Sequence, residues 1–164
     1  MHYATALLIC VAAAAFEGMC AGRDPMGKLR ALRQPSWSPP GWLWVLIGIA
    51  WYVICFTALV RLLPHWSGHK APVLLLAALM LANGAANLLQ FRLGRLDLAF
   101  LFLFPYWLLL AAFLWTACPL DRLSCGLFAV YAAYQLYAAA WGHSLWRMNP
   151  AAARETNGGQ RDGE

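Results

Sequence analysis

Residues 34–44 read Gln-Pro-Ser-Trp-Ser-Pro-Pro-Gly-Trp-Leu-Trp, setting Trp37, Trp42 and Trp44 among Pro35, Pro39 and Pro40. The chemistry these residues offer is adhesion, not reaction. Indole faces stack on flat ring systems, and prolines hold them in a stiff, non-helical frame. Further along, Tyr52, Trp107 and Tyr134 add aromatic faces inside apolar stretches. Asn83 adds an amide that must find a partner in lipid, either a ligand or a neighbouring helix. This pattern predicts a cavity for a planar hydrophobic molecule, with a rigid aromatic lip at its mouth.

Other chemistries lack their parts. Of the carboxylates, Glu17 alone falls inside an apolar stretch, while Asp24, Asp97, Asp121, Glu155, Asp162 and Glu164 lie in joints or in the tail. Neither a Ser-His-Asp spacing nor a glycine loop for phosphate is present, so no catalytic residue is assigned and no enzyme is expected. His65 and His69 are four apart, but Gly68 and Pro64 place them in a loop without a third ligand, so no metal is expected. Cys10, Cys20, Cys55, Cys118 and Cys125 form no Cys-x-x-Cys pair and read as buried thiols. A bridge between Cys118 and Cys125 is conceivable across a short joint. Glu17 carries a functional suspicion as an intramembrane charge, against a simpler pairing with Arg23 or Arg147 near a helix end.

The elements that hold these residues follow from composition. Apolar residues make up 62% of the chain and charged residues 12%. An interior built from 164 residues would not hide that much apolar surface from water. Five apolar stretches, at about 3–21, 42–63, 72–91, 98–118 and 123–146, are each long enough to cross about 30 Å of hydrocarbon as a helix. The fold class is thus an all-α integral membrane protein, a five-transmembrane-helix bundle. It forms one domain over 1–149, followed by a disordered tail at 150–164. Pro105, inside the fourth stretch, predicts a kink. The first stretch is expected to remain as a helix, since no Lys or Arg precedes its apolar core as in a secretory signal.

Arg23, Lys28, Arg30, Arg33, Arg92, Arg95, Arg147, Arg154 and Arg161 fall on one side of this topology. Arg61, Lys70 and Arg122 fall on the other. The imbalance predicts an outside N-terminus and a cytoplasmic C-terminus. It also accounts for the net charge of +5 without any nucleic-acid partner. Small residues at Gly18 and Gly22, and at Ala78, Ala82 and Ala86, offer one packing seam and one face for a homodimer.

Pro35-Ser36-Trp37-Ser38-Pro39-Pro40, then Trp42, then Tyr52, closely resembles the Pro-x-Trp-x-Pro-Pro…Trp…Tyr signature of the TspO/MBR family, the translocator or tryptophan-rich sensory proteins. Asn83, Phe91 and a closing Trp146-Arg147-x-Asn149 extend the resemblance over most of the chain. It implies a five-helix bundle, commonly a homodimer, that binds porphyrins and other hydrophobic ligands beneath the first long joint. Trp37, Pro39, Pro40 and Trp42 match the lid and mouth, and Tyr52 and Asn83 match pocket positions. Two tryptophans usual in the family are replaced by Gly48 and Tyr134, so the light-driven porphyrin breakdown linked to them is not expected. Trp51, Tyr134 and Trp141 are placed to rebuild the aromatic wall. The family's Trp-Tyr in the first joint reads Lys28-Leu29, and its Leu-Asn on helix five reads Trp141-Gly142. The function expected is a receptor that regulates or traffics a porphyrin or haem-type tetrapyrrole, with no required cofactor and with the bilayer and the ligand as partners. The alternatives are a structural or assembly subunit and a small-molecule transporter.

Overall fold

Long apolar segments hydrogen-bond their own backbones because hydrocarbon offers no other partner. The structure, a computed structural model, describes residues 2–150, and helices account for most of them. They are α1 (His2–Ala21), α2 (Pro25–Ala31), α3 (Gly41–Leu62), α4 (Ala71–Asn87), α5 (Leu96–Leu101), α6 (Leu103–Ala117) and α7 (Arg122–Met148). A 3₁₀ turn (Leu63–His65) extends α3, and a π turn (Leu88–Arg92) extends α4. Five spans are long and apolar enough to cross a membrane: α1, α3 with its extension, α4 with its extension, α5 with α6, and α7. Of the expected tail at 150–164, residues 151–164 lie outside the described residues.

The spans close into a ring in the order α1, α4, α6, α7, α3, with α3 returning to α1. One close approach fixes the α1–α4 edge. A Cβ added at Gly84 would stand 2.7 Å from the Phe16 ring and 3.5 Å from the Glu17 backbone, so only glycine lets the two helices meet there. Of the two small-residue faces, the one at Gly18 and Gly22 is not the packing seam, since both glycines have open space above them. Gly84 holds that role because it faces α1 directly.

Proline explains the interrupted span. Pro105 has no N–H to offer Leu101, four residues earlier, and its ring crowds that carbonyl. The helix therefore breaks at Phe102, between α5 and α6, one turn before the proline itself. The first joint also holds a short helix ahead of its proline-rich stretch, which is non-helical from 32 to 40 as expected. Asp24, in the left-handed region at φ 53°, accepts from Gly27 N at 2.8 Å, and Pro25 fills the first helical position, so α2 forms within it.

The bundle's two ends differ in character. At the end holding the α3–α4 and α6–α7 joints the ring is solid, packed by Leu59, Leu62, Leu76, Leu79, Phe113 and Phe128, all fully buried. Asp121 caps α7 by accepting from Ser124 N at 2.8 Å, and it takes the Arg61 guanidinium at 2.7 Å. Chiefly through that Arg61 hydrogen bond, and against the pull of burial, the Asp121 carboxyl sits well below the usual carboxylate range. Cys118 and Cys125 form a disulfide here, correcting their assignment as thiols; the joint's turn brings their Cα atoms to 4.7 Å. Cys10, Cys20 and Cys55 are buried and free.

Candidate functional site

The other end of the ring is hollow. A cavity of about 240 Å³ lies among the first half of α3, the last turns of α1, α4 and α7, and the α5–α6 break. Its walls are aromatic, formed by Trp44, Trp51, Phe100, Tyr106, Tyr131, Tyr134 and Trp141. Trp51 stacks on Tyr131 with centroids 4.4 Å apart, and a ladder continues through Tyr134 and Tyr137 to Trp37 at steps of 6.0, 6.3 and 5.5 Å. Enclosed Trp51 Nε1 has no hydrogen-bond partner.

Polar groups punctuate this wall at membrane depth. Glu17 accepts from Tyr52 Oη at 2.6 Å and from Asn87 Nδ2 at 2.7 Å, so α1, α3 and α4 are tied through one carboxylate. Tyr52 lies eleven residues along α3, about 16 Å from its start at Gly41. A carboxylate held there by a phenol and an amide is satisfied without water. Of the two readings of Glu17, the pairing with Arg23 or Arg147 is not the one found, because the glutamate faces inward. On α7, Gln135 Nε2 donates to Tyr131 Oη, which pairs with Tyr106 Oη at 2.7 Å. Asn83 and Gln90 also line the cavity.

The roof is α2. Met26 and Leu29 line the cavity from above, and Leu29 packs with Leu96, Trp141 and Leu145 in a small apolar cluster. Trp44 lies against Trp141 with centroids 4.6 Å apart. Hydrogen bonds fasten the roof to its neighbours: Lys28 Nζ donates to Phe91 O at 2.7 Å, and Trp141 Nε1 donates to Ser38 Oγ at 3.0 Å. Tyr137 Oη reaches Trp37 O at 3.3 Å.

The residues singled out from sequence divide accordingly. Asn83, Tyr134 and Trp141 line the cavity. Tyr52 belongs to its partition, facing an outer groove while its hydroxyl holds Glu17. Trp37 and Trp42 are 46% and 64% exposed and do not line it; neither do Pro39, Pro40 or Trp107. The closure expected from the Trp37–Trp42 lip is supplied by α2, Trp44 and Trp141. Adjacent helical positions point about 100° apart, so Tyr106 faces the cavity and its neighbour Trp107 does not. Asn83, Asn87 and Gln90 repeat at helical spacing on one face of α4, a polar stripe that Asn83 considered alone did not reveal. His65 and His69 lie in an exposed turn, and no cluster of three or more metal-binding side chains gathers among the described residues.

A ring of membrane helices, solid at one end and hollow at the other, defines a multi-pass membrane protein with an internal cavity. The TspO/MBR family model matches residues 6–147. The chain belongs to that family of membrane proteins, which bind tetrapyrroles and have regulatory roles. It is also similar to protein CrtK of Rhodobacter capsulatus, 30% identical over 139 residues that cover 80% of this chain and 87% of that protein.

Proposed function

We propose that this protein is a non-enzymatic membrane receptor that holds a planar hydrophobic ligand, a porphyrin or related tetrapyrrole, in the hollow end of its ring. Binding there regulates or traffics the ligand. The observation that carries this reading is the cavity's make-up, aromatic walls around fixed polar groups beneath a hydrogen-bonded roof. Burial and stacking supply the binding energy, while Asn83, Gln90 and the Tyr134 hydroxyl orient polar edges. The volume of about 240 Å³ lies just under the ~300–1,000 Å³ of small-molecule sites, so loading moves the enclosing elements outward.

The orientation proposed is N-terminus outside and C-terminus cytoplasmic, which puts the cavity and α2 on the cytoplasmic side. The Cys118–Cys125 disulfide supports this, because it lies at the opposite end, where an oxidising compartment would preserve it. A homodimer would use the outer face of α1 at Gly18 and Gly22, which no neighbour covers.

Titrating protoporphyrin IX into the reconstituted protein, with tryptophan fluorescence as the readout, tests the receptor reading. Asn83→Leu and Tyr134→Leu should each weaken binding about tenfold, close to 1.4 kcal/mol. Trp42→Ala, which removes a lipid-facing ring, should leave Kd within twofold. A larger loss from Trp42→Ala than from the cavity variants would return the site to the lip, and the absence of saturable quenching would reject the reading.

A further inference from the structure

A second hollow, apolar and about 540 Å³, runs along the outside of the ring between α1 and α3. Leu7, Val11, Val45, Ile49 and Val53 line it, and each is more than half exposed, so the groove faces hydrocarbon. Gly48 belongs to the walls of both hollows. A Cβ placed there would meet no atom within 4 Å, so Gly48 presents bare backbone where the two hollows adjoin. One turn along α3, a single hydrogen bond bridges the two: Tyr52, in the groove wall, donates to Glu17, in the cavity wall.

We propose that this partition is a side door, through which a ligand dissolved in the bilayer enters the cavity between α1 and α3, past Gly48, with the Tyr52–Glu17 hydrogen bond as its latch. The proposal rests on the receptor reading above and adds the route. A planar apolar molecule concentrates in hydrocarbon, where this groove opens. Entry beneath α2 would instead require breaking the Lys28–Phe91 and Trp141–Ser38 bonds and parting the Leu29 cluster. Of these side-chain hydrogen bonds, lateral entry breaks only the Tyr52–Glu17 one as α1 and α3 part, and Asn87 keeps hold of the carboxylate while Tyr52 swings away. The occupant of the groove is the ligand in transit.

Stopped-flow quenching by protoporphyrin IX carried in the bilayer of nanodiscs holding the full chain tests the route. Gly48→Leu should slow association about tenfold and slow dissociation with it, whatever its effect on Kd. Tyr52→Phe should speed both several-fold. Trp115→Leu, on the lipid face of α6 and 85% exposed in the parent, should change neither rate. Unchanged rates in Gly48→Leu with binding intact, or a change in dissociation alone, would overturn the door.

A ligand-free readout separates this from failure of the receptor reading. Bimane attached at Gly48→Cys, in a Cys10→Ala, Cys20→Ala, Cys55→Ala background, should be quenched by brominated acyl chains, and more strongly when Tyr52→Phe removes the latch. Quenching that Tyr52→Phe leaves unchanged would mean a sealed wall and reject the door, whether or not protoporphyrin IX binds. Protection from brominated lipid together with a two-copy mass would assign the groove to a dimer contact instead.

Discussion

Asn149 grips the peptide of Arg33 from both sides. Its Oδ1 accepts from Arg33 N at 2.9 Å, and its Nδ2 donates to Arg33 O at 3.0 Å. The same Nδ2 also donates to Leu145 O at 2.8 Å, so the last residues of α7 hold the joint that carries the roof. Residues 116 positions apart in sequence thus decide how firmly the cavity is covered.

Asn149→Ala removes these bonds and leaves the partners near water, so the cost is that of a few partly exposed hydrogen bonds, each about 0.5–1.5 kcal/mol. Amide exchange in α2 should quicken at least tenfold, whereas exchange in the solid end should stay as it was. Equal protection of α2 in the parent and the variant would show that the Leu29 cluster alone holds the roof down.

Gly84 sets the distance between α1 and α4, and with it the reach from Glu17 to Asn87. Gly84→Ala forces the Phe16 ring aside and should lower stability by about 1–3 kcal/mol, the usual range for overpacking. Phe16→Ala in the same chain should recover part of that loss, since the pair shares one contact. Thermal melts of the two single variants and the double variant measure the coupling. Strict additivity would place the strain elsewhere.

The disulfide at the solid end closes a loop of seven residues in sequence separation. In the chain-entropy account, a loop this short is worth about 2–3 kcal/mol. Cys118→Ser with Cys125→Ser should therefore lower the melting temperature by several degrees and leave cavity binding unchanged, because the hollow end shares no wall with that joint. After reduction of intact vesicles of known sidedness, a membrane-impermeant maleimide should label these thiols from the outer face only. Labelling from the cytoplasmic face would invert the proposed topology.

Much of the cavity was legible as a set of residue types, though not as a set of positions. Asn83, Tyr134 and Trp141 stand out as polar or aromatic residues in apolar spans, and they line the hollow. Trp37 and Trp42 stand out equally, yet one rests against Tyr137 and the other faces outward. Proline spacing describes a stiff segment without saying what it covers. The capping chemistry that builds α2 was present at Asp24, Pro25 and Gly27, and the polar stripe on α4 at Asn83, Asn87 and Gln90. Both are local signals, and helical spacing is enough to read them.

By itself the sequence determined that five helices cross a bilayer and roughly where each begins and ends, because apolar length and proline position act within a single segment. Tertiary structure decided which face of each helix turns inward. Apart from the polar stripe on α4, the spans are apolar nearly all round and carry little to orient them, so ring order, the Gly84–Phe16 approach and the Glu17 hydrogen bonds set the rotation. Hydrocarbon accepts any apolar face of a helix equally well, and only contacts between helices tell one face from another.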